Sequence, residues 1–356
     1  MAGAAFEFLI PGDLDAASGG YVYDRRILLE LRALGFRPTV RSLHASFPDP
    51  TRAALEHAAH TLAGIPAGRP VLIDGMAFSV MPQIVRAHAA RLPLLALVHM
   101  PLGAAPAEHP GRLARWQGLE ARALHSACRV IVTGRASLAA LGAYGLPAQR
   151  LVLIEPGTDP AEPARREAAR TIRLICVAAV HPGKGHELLF EALAPLASLP
   201  WQLTCVGSLT RSPATVVRLR ARLRELGLAD RVALPGEVPH AALDRLYRNS
   251  DLFVLATRFE SYCMAAAEAL AHGLPVVSTL TGALPELVGT RAGRLVAPGD
   301  LEGLRAALAA PLRDAALLAS WREGAAAVRA RLPTWPQVAA RFAALLREAG
   351  ASGVAR

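Results

Sequence analysis

The chain is short of several things, and each shortage narrows what it can be. Its four cysteines, Cys128, Cys176, Cys205 and Cys263, are scattered singly with no metal-ligand spacing along the sequence. That argues against a disulfide framework or a zinc module and for reduced thiols in a cytoplasm. Lysine is almost absent, so the net charge of +10 is carried by arginine, spread over many segments and not gathered into one tract. A solvated arginine-rich surface accounts for this. The excess could also draw anionic lipid or phosphorylated ligands, which leaves peripheral membrane contact open. Aromatic residues make up 5% and do not interleave with a basic tract, so nothing points to nucleic acid. Although 53% of residues are hydrophobic, no run approaches the ~20 apolar residues of a membrane span. The first residues lack the basic region, long apolar run and cleavage site of an export signal, so a cytoplasmic location is expected, with the inner face of the membrane as a place of contact. Also missing are a G-x-G-x-x-G fingerprint, an Asp-x-Asp pair in a metal-binding context, and any internal repeat.

What is present is length and alternation. A chain of 356 residues suggests two domains, each long enough to bury a core. Short apolar strands are expected at 6–10, 37–43, 71–73, 94–98, 130–132 and 151–154, with helices between them, the first at 21–34. A second alternation runs from 172–178 past Leu295. Between the two, residues 155–163 are dense in proline and acid and read as a linker. The pattern is α/β with doubly wound parallel sheets. Domains are expected at 1–158 and 159–334, with a final helix within 335–356.

The most informative stretch is 251–288. A buried strand at 251–256 leads to Arg258 and Glu260, then to an alanine-rich helix expected over 262–272 and ended by Gly273 and Pro275. A second buried strand, 275–278, follows. Glu260 is thereby placed at the carboxyl end of a strand, where open parallel sheets bind ligands, and Glu268 one to two turns inside the helix. The amides of Tyr262, Cys263 and Met264 would be helix-start donors for an oxygen-rich ligand. Taken alone, two acids at this spacing could equally be two charges flanking a helix start.

With their surroundings, these residues resemble the retaining family 4 glycosyltransferases, glycosyl transferases group 1. The shared elements are Glu260 and Glu268 with seven residues between them, GLPVV at 273–277 and TGALPE at 281–286. The resemblance implies the GT-B fold, two Rossmann-like parallel-sheet domains facing a cleft, the last helix crossing back to the first domain and the linker acting as a hinge. It carries over Glu260 to the sugar face and Glu268 to the ribose hydroxyls. Lys184, in the Lys-Gly turn before the helix expected at 186–196, is assigned to the diphosphate. Gly19 and Gly20 match the glycine pair that faces the donor, and His99 the histidine near the transferred sugar. Asp74 and its neighbours would line the acceptor side. Gly207 and Val238 match backbone contacts to phosphate and base, and Ser261, Tyr262, Cys263 and Met264 the loop at the helix start.

Several positions depart from the family pattern. Ala179 stands where an arginine usually joins the lysine, with His181, Arg211 or Arg258 as stand-ins, and Thr158 stands where valine is usual. Ser261 and Cys263 replace the two glycines of the usual Glu-Gly-Phe-Gly. The implied activity is retaining transfer of a sugar from a nucleoside-diphosphate sugar to a glycan, lipid-linked or small-molecule hydroxyl, with no cofactor and no metal. A nucleotide-sugar epimerase on the same fold and a catalytically inactive partner subunit are the alternatives.

Overall fold

The computed structural model describes residues 4–16, 18–104, 110–164 and 171–354. Strands β1 (Ala5–Pro11), β2 (Arg37–Leu43), β3 (Val71–Asp74), β4 (Leu94–Val98), β5 (Arg129–Val132) and β6 (Leu151–Leu153) form one six-stranded sheet in the order β2-β1-β3-β4-β5-β6. Strands β7 (Ile172–Val177), β8 (Trp201–Val206), β9 (Val232–Gly236), β10 (Leu252–Val254), β11 (Val276–Thr279) and β12 (Gly293–Val296) form another, ordered β12-β11-β10-β7-β8-β9. The pairings in both sheets are parallel.

Interior parallel strands are covered by helices on both faces, so they read as unbroken apolar runs. The runs at β4 and β10 are buried at every residue. The edge strand β2 is instead half exposed and carries Arg41, paired with Glu7 at 2.6 Å. A charged edge of this kind discourages pairing with another chain.

Strand order reverses once in each sheet, between β1 and β3 and between β7 and β10. The carboxyl ends of the strands at such a reversal are where open α/β sheets take ligands.

The described residues up to Gly157 and from Pro333 onward form one compact unit, and Thr158–Leu332 form the other. The last helix, Trp335–Val354, packs in the first unit. The Trp335 ring meets Tyr23 edge-on at 5.6 Å, and Arg341 Nη2 donates to Leu153 O. This helix passes through Gly350. One glycine costs only about 1 kcal/mol in a helix, too little to end one by itself.

Two helix starts differ from expectation, and both bear on the site. The first helix is Gly19–Ala33, because Ser18 Oγ accepts from Tyr21 N at 3.3 Å and caps it. Gly19 and Gly20 are therefore its first turn, not a loop. The helix after β10 is Met264–Ala271 and starts two residues late. Cys263 before it lies at φ 75°, in the left-handed region, so the amides of Tyr262 and Cys263 belong to a loop. Among the described residues no helix is long and apolar enough to cross a membrane.

Candidate functional site

In the second unit the loops after β7 and β10 meet at the order reversal. The β7 loop makes a short turn, Pro182–Lys184, capped by His181 Nδ1, which accepts from Gly183 N at 3.2 Å. Gly183 O in turn accepts from Arg258 N at 2.9 Å, and this ties the loop to the one after β10. Lys184 Nζ then donates to Glu260 Oε1 at 2.5 Å, with the side chains 24% and 11% exposed. Two residues 76 positions apart are thus brought into an ion pair at the carboxyl edge of the sheet. Lys184 is also the only lysine in the sequence. In a chain that otherwise uses arginine, a lone lysine signals a need for a compact ammonium in place of a planar guanidinium.

The TGALPE turn explains how Glu260 is held. Glu260 N donates to Thr281 Oγ1 at 3.3 Å, and Ala283 N donates to Ser261 O at 3.1 Å. Gly282, at φ 60°, passes so close that a Cβ there would collide with Glu260 O. This clamp holds residues 260–261 in the loop before the helix.

Glu268 lies within the Met264–Ala271 helix, and its Oε2 contacts the Tyr247 hydroxyl at 3.1 Å. Tyr247 sits on the helix His240–Arg248, and its ring stacks on His272 at 4.9 Å. Burial pushes the Glu268 pKa up to about 7, although the Tyr247 hydrogen bond pulls it down. The acid therefore changes charge near neutrality. Tyr247 was not foreseen, because no local motif marks a tyrosine 21 residues before its partner.

The remaining expected contacts in this unit sit on loops or the helix start. Gly207 follows β8, and its N donates to Gly236 O at 3.0 Å. Val238 is half-buried in the loop after β9, and Ser261 and Met264 are also half-buried. Tyr262 and Cys263 are 6% and 7% exposed and belong to the core, so their side chains do not line an open site. Burial and the Glu260 charge raise the Cys263 thiol pKa. His181 does not replace the arginine missing at Ala179. Burial, helped by Lys184 and Arg211, lowers its pKa to about 4, which leaves it uncharged at neutral pH. Arg211 and Arg258 are exposed.

In the first unit, the order reversal gathers a different set. His99 follows β4 and lies against the first turn of the Gly19–Ala33 helix, where a Cβ on Gly20 would stand 3.0 Å from His99 Cδ2. His99 Nε2 is 3.0 Å from Asp24 Oδ1 and 3.8 Å from Asp74 Oδ2. Both aspartates are 1% exposed. Burial works against a charged His99, but Asp24 and Asp74 outweigh it and raise its pKa. Burial likewise lifts the Asp74 carboxyl above its ordinary range against the pull of His99. Asp24 was missed at the sequence level, since an aspartate one turn into a helix carries no signal until the strand ends are placed beside it.

The scattered cysteines also gain a context. Cys176 and Cys205 are paired in register on β7 and β8, with His186 Nε2 3.9 Å from Cys176 Sγ. The Cys205 thiol draws the Cys176 pKa down, against the effect of burial and with help from His186. All three are buried, and both cysteines are free thiols. Spacing along the chain hides a pairing that strand register creates.

Residues 171–314 match the family model described as glycosyl transferases group 1. Among characterised relatives, the chain is 30% identical over 221 residues to the mannosylfructose-phosphate synthase of Agrobacterium fabrum, covering 57% of this chain and 49% of that protein. It is 35% identical to the lipopolysaccharide core biosynthesis mannosyltransferase LpsB of Rhizobium meliloti, over 41% of this chain and 42% of that one. In both cases the match spans less than half the relative's length. An MMP alpha-(1->4)-mannosyltransferase of Mycolicibacterium hassiacum is 27% identical over 86% of this chain and 76% of its own. Among solved structures, sucrose-phosphate synthase from Thermosynechococcus elongatus aligns with a TM-score of 0.81 at 22% identity, covering 98% of this chain and all of that one. Anabaena HepE, solved with UDP and glucose, aligns at 0.73 and 19%, covering 96% of this chain and all of its own. The chain therefore has the GT-B fold, and its residues 171–314 are similar to the glycosyl transferases group 1.

Proposed function

We infer that this chain is a retaining glycosyltransferase that moves a sugar from a nucleoside-diphosphate sugar to a hydroxyl of a glycan, lipid-linked or small-molecule acceptor. The observation that carries the reading is the Lys184–Glu260 pair at the β7/β10 reversal, with Glu268 on the helix that follows. Support comes from the group 1 family match over the same unit and from a GT-B neighbour solved with UDP and glucose.

The chemistry fits these residues. As the bond from the anomeric carbon to the diphosphate breaks, negative charge grows on the leaving oxygen and positive charge on the sugar ring. Lys184 and the first-turn amides of the Met264–Ala271 helix would meet the leaving charge, and preorganised donors of this kind are often the largest catalytic contribution. Glu260 would face the ring, and ionised Glu268 would accept from the ribose hydroxyls. Backbone at Gly207 and Val238 would approach phosphate and base, with His99 and the Gly19–Gly20 turn serving the sugar. Attack from the face the phosphate leaves, with a phosphate oxygen taking the acceptor's proton, retains configuration and needs no protein nucleophile. The leaving-group charge is met by protein groups, so this step invokes no metal or cofactor.

A second reading, a partner subunit that binds a nucleotide sugar without turning it over, is favoured by the single charged side chain of the β7 loop. Ala179 replaces the usual arginine and His181 is neutral, so Lys184 acts without a second cation there. One experiment tests both. The purified chain is mixed with uridine-, guanosine- and adenosine-diphosphate sugars, and thermal stabilisation and nucleoside-diphosphate release are followed. The transferase reading expects stabilisation by one base class, with slow release. Stabilisation without release on any acceptor selects the partner reading, and neither effect refutes both.

A further inference from the structure

The Asp24, Asp74 and His99 cluster of the first unit has a charge problem that the sugar contact given to His99 does not resolve. Two carboxylates, each on a residue 1% exposed, face one imidazole. Asp24 spends Oδ1 on His99, and Asp74 spends Oδ1 on Met76 N at 2.7 Å. The second oxygen of each, Asp24 Oδ2 and Asp74 Oδ2, is buried with no hydrogen-bond partner. A buried carboxylate oxygen without a partner is costly, and a cluster with more acid than base invites a counter-charge.

We propose that Asp24, Asp74 and His99 form a binding site for a divalent cation that prefers oxygen and nitrogen ligands. One ligand atom from each lies within 4.8 Å of the others. A metal at about 2.0–2.2 Å from carboxylate oxygen and imidazole nitrogen draws its ligands to roughly 3–3.5 Å from one another. The Nε2 separations of 3.0 and 3.8 Å already bracket that spacing. The ligands are also held from outside the cluster. Gly20 packs on the His99 ring, Tyr23 meets it edge-on at 5.3 Å, and Thr133 Oγ1 donates to His99 O at 3.2 Å. Two ligands stand at the carboxyl ends of neighbouring strands β3 and β4, and the third is on the helix that follows β1, so the cation would sit at the order reversal of the sheet. Binding takes the Nε2 lone pair, so any proton there is released to solvent. The two aspartates match the double positive charge. A mixed carboxylate and imidazole set suits manganese or zinc better than calcium.

The test uses the full chain after chelator treatment, with Mn2+ as the probe. Zinc is unsuitable as a first probe, because the buried Cys176, His186 and Cys205 group offers it softer ligands. Calorimetry, together with loss of the free Mn2+ signal in electron paramagnetic resonance, should show one ion per chain. Asp24→Asn and Asp74→Asn should each weaken it by about tenfold or more, as should His99→Gln. The exposed Glu323→Gln should bind as the parent does. Circular dichroism screens for folding, and the parent titration decides even if a variant fails that screen. A parent that takes up no stoichiometric Mn2+ at millimolar concentration, or ligand variants that bind as the parent does, would overturn the site. No nucleotide sugar enters this experiment, so its failure leaves the transferase reading standing.

Discussion

The two sheets reverse strand order in the same way, and the chain places ionisable groups at both reversals, yet it balances them differently. In the second unit Glu260 has a cation from the chain itself, the only lysine of the sequence, at 2.5 Å. In the first unit Asp24 and Asp74 share one imidazole and keep an oxygen each without a hydrogen-bond partner. A site balanced within the chain can wait for an anion, because Lys184 can exchange Glu260 for a phosphate oxygen. A site left acidic waits for a proton or a cation. Similar topology thus sets two complementary electrostatic positions, and side chains, not sheet order, decide which is which.

The sharpest way to break this comparison is to remove the cation from the balanced side. Lys184→Ala should lower single-turnover release of nucleoside diphosphate by about 10²–10³-fold, since no second charged side chain of that loop can replace it. Parental rates would mean that the diphosphate is met elsewhere. Glu268→Ala should come next, weakening nucleoside-diphosphate affinity by about 1.5–3 kcal/mol through loss of a charged acceptor. Calorimetry that finds equal affinity would remove Glu268 from the ribose.

A smaller effect follows from the Glu268 pKa of about 7. If the ionised acid accepts the ribose hydroxyls, affinity should rise about tenfold between pH 6 and 8, following the ionised fraction. Tyr247→Phe removes a bond that favours the charged form, so it should move that rise to higher pH. Stability has the opposite sign. The folded pKa lies above the ordinary value of 4.5, so this group's contribution is complete below about 4.5 and is lost as pH rises through about 7. A flat affinity profile across neutrality would contradict the assignment. Smallest is Gly20→Ala on the first unit, where the new methyl presses on the His99 ring 3.0 Å away. Overpacking of this kind costs about 1–3 kcal/mol, and the His99 ring resonances should shift.

The second unit's site was largely legible in the sequence, and the first unit's was not. Glu260, Glu268, the GLPVV strand and the TGALPE turn lie within one stretch, so local order reports spatial order. Lys184 is remote in sequence, but a Lys-Gly turn between a strand and a helix marks it. Tyr247 and Asp24 have no such mark: one reaches its partner across a helix pair, the other across three segments of the fold. The shifted helix starts have equally local causes that composition hides. A serine cap draws Gly19 and Gly20 into the helix, and a cysteine at φ 75° delays the other. Helix propensity does not anticipate a left-handed cysteine, because it is the Gly282 clamp that holds the preceding backbone.

The measurement that most directly tests the central claim exploits the single lysine. An amine-reactive reagent can mark only Lys184 and the chain's amino terminus, and peptide mass spectrometry separates the two. If the diphosphate is held by Lys184, then the nucleoside diphosphate that stabilises the protein should slow labelling of Lys184 and leave the amino terminus unchanged. Labelling of Lys184 at the same rate with and without saturating nucleoside diphosphate would contradict the account.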